Sequence, residues 1–252
     1  MLDGSARRAG VFDAGGEARF GARAVLAGVA LGLVAVPFGL LLLMVESRFP
    51  PLLRIDNGAR DALHGVAVDE AGFVTAMKLV STVGSARVYI PLFAALVLWL
   101  AWRRLGRLAV FVLVTMLGSW LLNSQVKLAV DRVRPVLPDP VAHAGGMSFP
   151  SGHAQSATVA ASVLLLVFLP ALRARPGRLR LAVGAALVWV IAVCFSRVAL
   201  GVHYVSDVLA GYVLGAAWVA AMTAAFNVWR RERGLRAVDP AEGLEPERLA
   251  RA

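Results

Sequence analysis

Cysteine is almost missing from this chain: Cys194 stands alone. That excludes an intramolecular disulfide and any cysteine-based zinc site. It lies within an apolar run and reads as buried filler. Histidine is scarce as well, and four residues (His64, His143, His153, His203) leave little room for a His-rich metal centre. Charge is thin throughout, at 17% of residues against about 25% in soluble proteins. The apolar set reaches 59%, and the mean hydropathy is +0.71. A soluble chain of 252 residues with so little charge could not cover its own core. An integral membrane protein is the remaining reading, provided the apolar residues are clustered.

They are. A spanning helix needs about 20 apolar residues to cross roughly 30 Å of hydrocarbon. Six stretches qualify: Ala24–Val45, Val88–Trp102 (starting earlier, near Val80), Leu108–Val126, Ala154–Leu172, Leu179–Phe195 and Val208–Trp229. The first is followed by Glu-Ser-Arg-Phe-Pro rather than a small-residue cleavage site, so it reads as a retained span and not a signal peptide. Pro37 is expected to kink it. The fold class expected is all-α, a six-transmembrane-helix bundle. Its parts are a tail over 1–23, a membrane domain over 24–229 and a flexible, polar tail over 230–252. Loop 46–87 is long and mixed. Within Asp56–Leu79 the residues Leu63, Val66, Phe73, Val74 and Met77 recur at partly helical spacing, which predicts an amphipathic helix on the membrane surface.

Basic residues outnumber acidic ones by 26 to 16, a net charge of +10. Such an excess fits nucleic acid, an anionic membrane or an anionic substrate. Alternating the six spans places 17 of the 26 basic residues on one side, in short juxtamembrane clusters at both tails and in loops two and four. The positive-inside rule therefore makes both termini cytoplasmic and turns loops one, three and five outward. No aromatic interleaving or binding motif accompanies the clusters, so nucleic acid is excluded as a partner. A multi-pass protein of the plasma (inner) membrane follows.

The outward basic residues are not evenly spread. Lys127, Arg132 and Arg134 follow span three, and Arg197 ends span five. Pro150-Ser151-Gly152-His153 opens span four, and His203 and Asp207 open span six. Ionisable residues at span ends facing a bundle interior are functional candidates. Lysine and arginines make a pocket for a dianion, with Arg able to fork two phosphate oxygens. The backbone N–H groups at a helix start around Ser151 and Gly152 point at the same anion, and Gly152 allows close approach. His203 and Asp207, four apart, share a helical face, where a carboxylate orients an imidazole. His153 is then free for acid–base work. Two histidines in a cationic cage point to covalent phosphoryl transfer, one attacking phosphorus while the other protonates the leaving alkoxide and then activates water. No metal or cofactor is called for, and Asp131, Asp139 and Asp207 are too few for a two-metal site.

These segments resemble the three-part signature of the type 2 phosphatidic acid phosphatase (lipid phosphate phosphatase) superfamily. That signature is a lysine followed after six residues by Arg-Pro, then Pro-Ser-Gly-His, then Ser-Arg, five residues, His, three residues and Asp. Lys127 to Asp207 matches every fixed position in order, and six spans match the membrane branch. The resemblance implies that Lys127, Arg134 and Arg197 bind phosphate, with Ser151 and the Gly152 amide, and that Ser196 supports the phosphate or its neighbours. It implies His203 as nucleophile, Asp207 as its orienter and His153 as general acid. Arg132 and Asp131 lie outside the pattern and receive no catalytic role. The activity implied is metal-independent dephosphorylation, at the outer face, of a membrane lipid phosphate of the phosphatidic acid, phosphatidylglycerol phosphate or undecaprenyl diphosphate class.

Each residue alone has a duller explanation. Lys127 and Arg197 suit snorkelling at an interface, Ser151 suits an N-cap, and His203 with Asp207 suits a helix-start hydrogen bond. Other functions on the same scaffold are a lipid phosphotransferase and a non-catalytic lipid-phosphate binder or transporter; binding alone would not need both histidines and Asp207. The superfamily's soluble vanadate-dependent haloperoxidases share the anion pocket but not six spans. His143 reads as loop surface, Gly145 and Gly146 as a mobile stretch, and His64 has no assigned partner. Protein partners are not specified by the sequence.

Overall fold

The computed structural model describes Gly32 and residues 35–232. These residues form eight helices: α1 (Ala35–Glu46), α2 (Pro50–Asp69), α3 (Ala71–Val83), α4 (Ala86–Trp102), α5 (Gly106–Val130), α6 (Gly152–Arg173), α7 (Pro176–Ala199) and α8 (Val205–Glu232). The only long irregular segment between them is 131–151, joining α5 to α6. The tail expected over 1–23 lies outside the described residues. So do most of the first span's residues before Ala35 and the second tail beyond Glu232.

Five helical units are long and apolar enough to cross a membrane: Ala71–Trp102, Gly106–Val130, Gly152–Arg173, Gly177–Ala199 and Val205–Phe226. A sixth arises if α1 and α2, bent by 85° at Ser47–Phe49, count as one span. The protein is a multi-pass, all-helical membrane protein. Its outer faces carry exposed apolar side chains such as Leu98, Trp120, Leu181 and Val188, as helices solvated by lipid require.

Loop 46–87 differs from its expected form. It holds two helices instead of one over 56–79, broken at Glu70. α3 continues nearly in line into α4, so residues 71–83 join the second span. The α3–α4 break falls at Gly84, where an added Cβ would lie 2.7 Å from the Val193 side chain of α7; only a residue without a side chain lets the backbones come this near. Of the apolar residues assigned to the amphipathic face, Leu63, Phe73, Val74 and Met77 pack inward, whereas Val66 is exposed.

The interior is built on α6, which packs against α5, α7 and α8. Gly211 and Gly215 of α8 lie against α6 so closely that a Cβ at Gly211 would sit 2.4 Å from the Ser151 carbonyl oxygen. Small residues permit such contact between membrane helices. Several polar groups inside the bundle are paired, whereas the buried Thr115 hydroxyl has no partner among the described residues. Asn123 donates to Gln155 at 2.7 Å, and Gln155 donates to the Ser119 carbonyl and hydroxyl. Trp189 and Trp218 pack mid-span as expected, donating to the Tyr89 hydroxyl and the Thr115 carbonyl respectively. Cys194 is half-buried and packs against the core.

Candidate active site

The site forms where segment 131–151 folds across the ends of α6, α7 and α8. α5 stops at Asp131, whose left-handed backbone (φ 49°) turns the chain out of the helix. Beyond it the chain is irregular, and Arg132 reaches Asp207 while Arg134 reaches Val202 O and His203. Ser148 N–H donates to the Arg132 carbonyl at 2.8 Å, closing the segment into a loop. Ser151 then caps α6, its hydroxyl accepting from Ala154 N–H at 3.5 Å, and its own N–H donates to the Asp207 carbonyl at 2.9 Å. That bond joins the starts of α6 and α8, and with them His153 and His203.

His203 is fully enclosed, 2% exposed, on the short turn between α7 and α8. Gly201, in the left-handed region at φ +67°, lets the chain reverse there. Asp207 is also buried, and its carboxylate accepts from Tyr204 N–H at 2.9 Å and from the Ser148 hydroxyl. Its Oδ2 lies 3.4 Å from His203 Nδ1. The opposite nitrogen, Nε2, is 3.1 Å from Arg134 Nη1. A guanidinium only donates, so Nε2 carries the lone pair and Nδ1 carries the proton, directed at Asp207. Burial pushes the His203 imidazole down to about 4, against the opposing pull of Asp207. The ring is therefore neutral near pH 7, with the Nε2 lone pair turned toward Arg134.

Those cations are held from behind. Arg134 donates through Nε to Gly146 O, through Nη2 to Gly145 O and through Nη1 to Val202 O, at 2.7–3.0 Å. Gly145 and Gly146, expected as a mobile stretch, instead have both carbonyls engaged. Four of Arg134's five N–H groups are engaged, and the second on Nη2 is left without an acceptor among the described residues. Burial lowers the Arg134 guanidinium below its ordinary range without making it neutral. Lys127 Nζ donates to Met147 O at 2.6 Å. Arg197 reaches back to the Ser81 hydroxyl of α3, while its buried Nε has no partner among the described residues. Lys127, Arg134, Arg197 and His203 all interact electrostatically with His153, which makes no hydrogen bond of its own among the described residues. The structure thus brings together Lys127, Arg134, Ser151, Gly152, His153, Arg197, His203 and Asp207.

Ser196 sits differently from its expected role: its hydroxyl donates to the Val193 carbonyl of its own helix at 2.7 Å. Three residues not assigned from the sequence belong to the site. Arg132 bridges Asp207 at 2.6 Å and Asp56 of α2 at 2.8 Å, and Ser148 holds Asp207. A signal for Asp56 was present: it shares a helical face with Ala59, Leu63 and Ala67, an acid on an apolar stripe. Among the described residues, no group of three or more His, Cys, Asp or Glu side chains is placed to hold a metal ion.

Fold and site together define a helical membrane protein in which two histidines stand among lysine and arginine side chains at the ends of three helices. The PAP2 superfamily model matches residues 108–231, which contain all three signature segments. Phosphatidylglycerophosphatase B of Bacillus subtilis (strain 168) is 40% identical over 98 residues, 38% of this chain. The match spans 46% of that relative's length. The crystal structure of the first transmembrane PAP2 type phosphatidylglycerolphosphate phosphatase from Bacillus subtilis has a TM-score of 0.65 at 26% identity, covering 80% of this chain and 97% of that one. Residues 108–231 are thus a PAP2 superfamily segment.

Proposed function

We propose that this protein is a lipid phosphatase that removes phosphate from a membrane lipid through a phosphohistidine, without a metal. One observation carries the reading: a buried, neutral His203, backed by Asp207, turns Nε2 and its lone pair to Arg134, within a cluster that also holds Lys127, Arg197 and a second histidine with no hydrogen bond among the described residues. A binding site would need the cations alone. Phosphatidylglycerol phosphate is the substrate favoured within the class, because both relatives are named for it.

His203 Nε2 attacks phosphorus, and the bond from phosphorus to the lipid oxygen breaks. His153 gives its proton to the departing alkoxide. Water then attacks the phosphohistidine, His153 takes one of its protons, and phosphate leaves with Nε2 restored. Lys127, Arg134, Arg197 and the Gly152 amide stabilise charge on the phosphoryl oxygens throughout. Asp207 stabilises the positive ring that forms when Nε2 is phosphorylated while Nδ1 keeps its proton.

The purified protein in detergent is expected to release phosphate from phosphatidylglycerol phosphate with EDTA in excess. Quenching turnover of labelled substrate with an alkaline denaturant, in which phosphohistidine survives, should trap one phosphoryl group, absent from His203→Gln. Activity abolished by EDTA and restored by magnesium would sink the metal-free mechanism. A trapped phosphoryl group in the His203 variant would move the nucleophile elsewhere.

A further inference from the structure

Asp56 is completely buried, yet it belongs to α2, far in sequence from every signature segment. Both of its oxygens are used. Oδ1 accepts from Ser206 N–H at 2.9 Å, and Oδ2 accepts from the Ser206 hydroxyl at 2.6 Å and from Arg132 Nη2 at 2.8 Å. Arg132 turns its other amino group to Asp207 Oδ1 and the Ser206 hydroxyl, and its guanidinium lies 4.4 Å from the Tyr204 ring centre. Asp56, Arg132 and Asp207 form a line that ends at His203 Nδ1.

We propose that Asp56 is a positioning residue for the reaction, acting through Arg132 to keep a net negative charge behind His203. The proposal rests on the phosphohistidine reading above. Arg132 alone would neutralise Asp207, leaving the imidazole with no counter-charge on its inner side. Its outer side faces cations only. With Asp56 present the buried line carries two negative charges and one positive, a net charge of −1. Arg132 also fixes the Asp207 carboxylate, so geometry and charge are supplied together. The reaction needs both, since phosphorylation of Nε2 places a positive charge on a ring with no water around it.

Charges facing His203 come from every neighbouring element: Arg134 from the α5–α6 segment, His153 from α6, Arg197 from α7 and Asp207 from α8. Ser148 adds a hydroxyl. Among these, Asp207 alone is negative, so weakening its field has nothing to offset it.

The test compares the full chain in detergent, with phosphatidylglycerol phosphate as probe, as wild type, Asp56→Asn, Arg132→Gln and the double variant. Asp56→Asn makes the line neutral. Its kcat is expected to fall about tenfold or more with KM little changed, and the acid limb of its kcat profile should move down by about one pH unit. The double variant returns the line to a net −1 and should recover kcat relative to Asp56→Asn. Wild-type kcat in Asp56→Asn, or losses in the double variant that equal the product of the single losses, overturns the proposal. Where a single variant does not fold, the double variant decides, since it removes the Asp56–Arg132 pair together and leaves Asp207 its bonds from Ser148 and Tyr204. A folded double variant with kcat below about a hundredth of wild type also overturns it. A wild type that releases phosphate from no lipid phosphate overturns the phosphatase reading itself, and this inference with it.

Discussion

His203 and His153 occupy the same pocket but have opposite surroundings. His203 is gripped on both nitrogens, by Asp207 and Ser148 on one side and Arg134 on the other. His153 has no hydrogen-bond partner among the described residues. A nucleophile benefits from fixed orientation, whereas a proton carrier must serve first a leaving group and then water. This difference assigns the proposed roles more firmly than their order in the chain does. His153→Asn is expected to lose about 10²-fold or more in kcat on a lipid alkyl phosphate. With p-nitrophenyl phosphate, whose leaving group departs without protonation, the loss should be far smaller. Equal losses on the two substrates, measured by phosphate release, would remove His153 as general acid. The signature residues were legible from the sequence because their spacing is local. Arg132 was not: nothing in its neighbours Asp131 and Val133 says that its guanidinium spans two carboxylates 151 positions apart in the chain, Asp56 and Asp207.

Among the elements, the contact of α6 with α8 carries the site. The Ser151 N–H bond to the Asp207 carbonyl and the Gly211 approach to the Ser151 carbonyl fall at one crossing. Gly211→Ala would place a methyl 2.4 Å from that oxygen, and backbone is the least yielding neighbour it could meet. The helices must part there. A loss of about 1–3 kcal/mol in stability should accompany a fall in kcat, because His153 and His203 separate together. Thermal unfolding in detergent and phosphate release check the two halves; an unchanged melting temperature would show that the crossing yields without cost. The helices themselves were readable from hydropathy. Their breaks were less so, since the α3–α4 junction at Gly84 depends on Val193 of another helix.

For the whole molecule, enclosing His203 in a neutral state links stability to pH. The imidazole stands at about 4 in the folded protein against an ordinary 6.5. Between these values the unfolded chain binds the proton and the folded one does not, so stability falls as pH drops. The contribution is complete above about pH 6.5 and is lost progressively toward 4. The wild type should therefore lose more melting temperature between pH 7.5 and 5 than His203→Gln does. Parallel loss in both would dissociate His203 from the effect. Orientation is also a property of the whole chain. The 17 basic residues on one side lead us to propose that the site opens on the extracytoplasmic face. A cysteine introduced at Gly145, in the Cys194→Ala background, is then expected to react with a membrane-impermeant thiol reagent in intact cells. Labelling only after permeabilisation would reverse the topology.

Membrane residence, the helical class and the signature residues were all present in the sequence. Hydrophobicity is set by runs of neighbours, and a helix places residues four apart on one face wherever it stands. Tertiary structure decided what lies behind those residues. It engaged the carbonyls of Gly145 and Gly146 with Arg134, turned the Ser196 hydroxyl into its own helix, and brought Asp56 through Arg132 to Asp207. A buried charge needs partners from whichever element reaches it, and which element that is depends on how the helices cross.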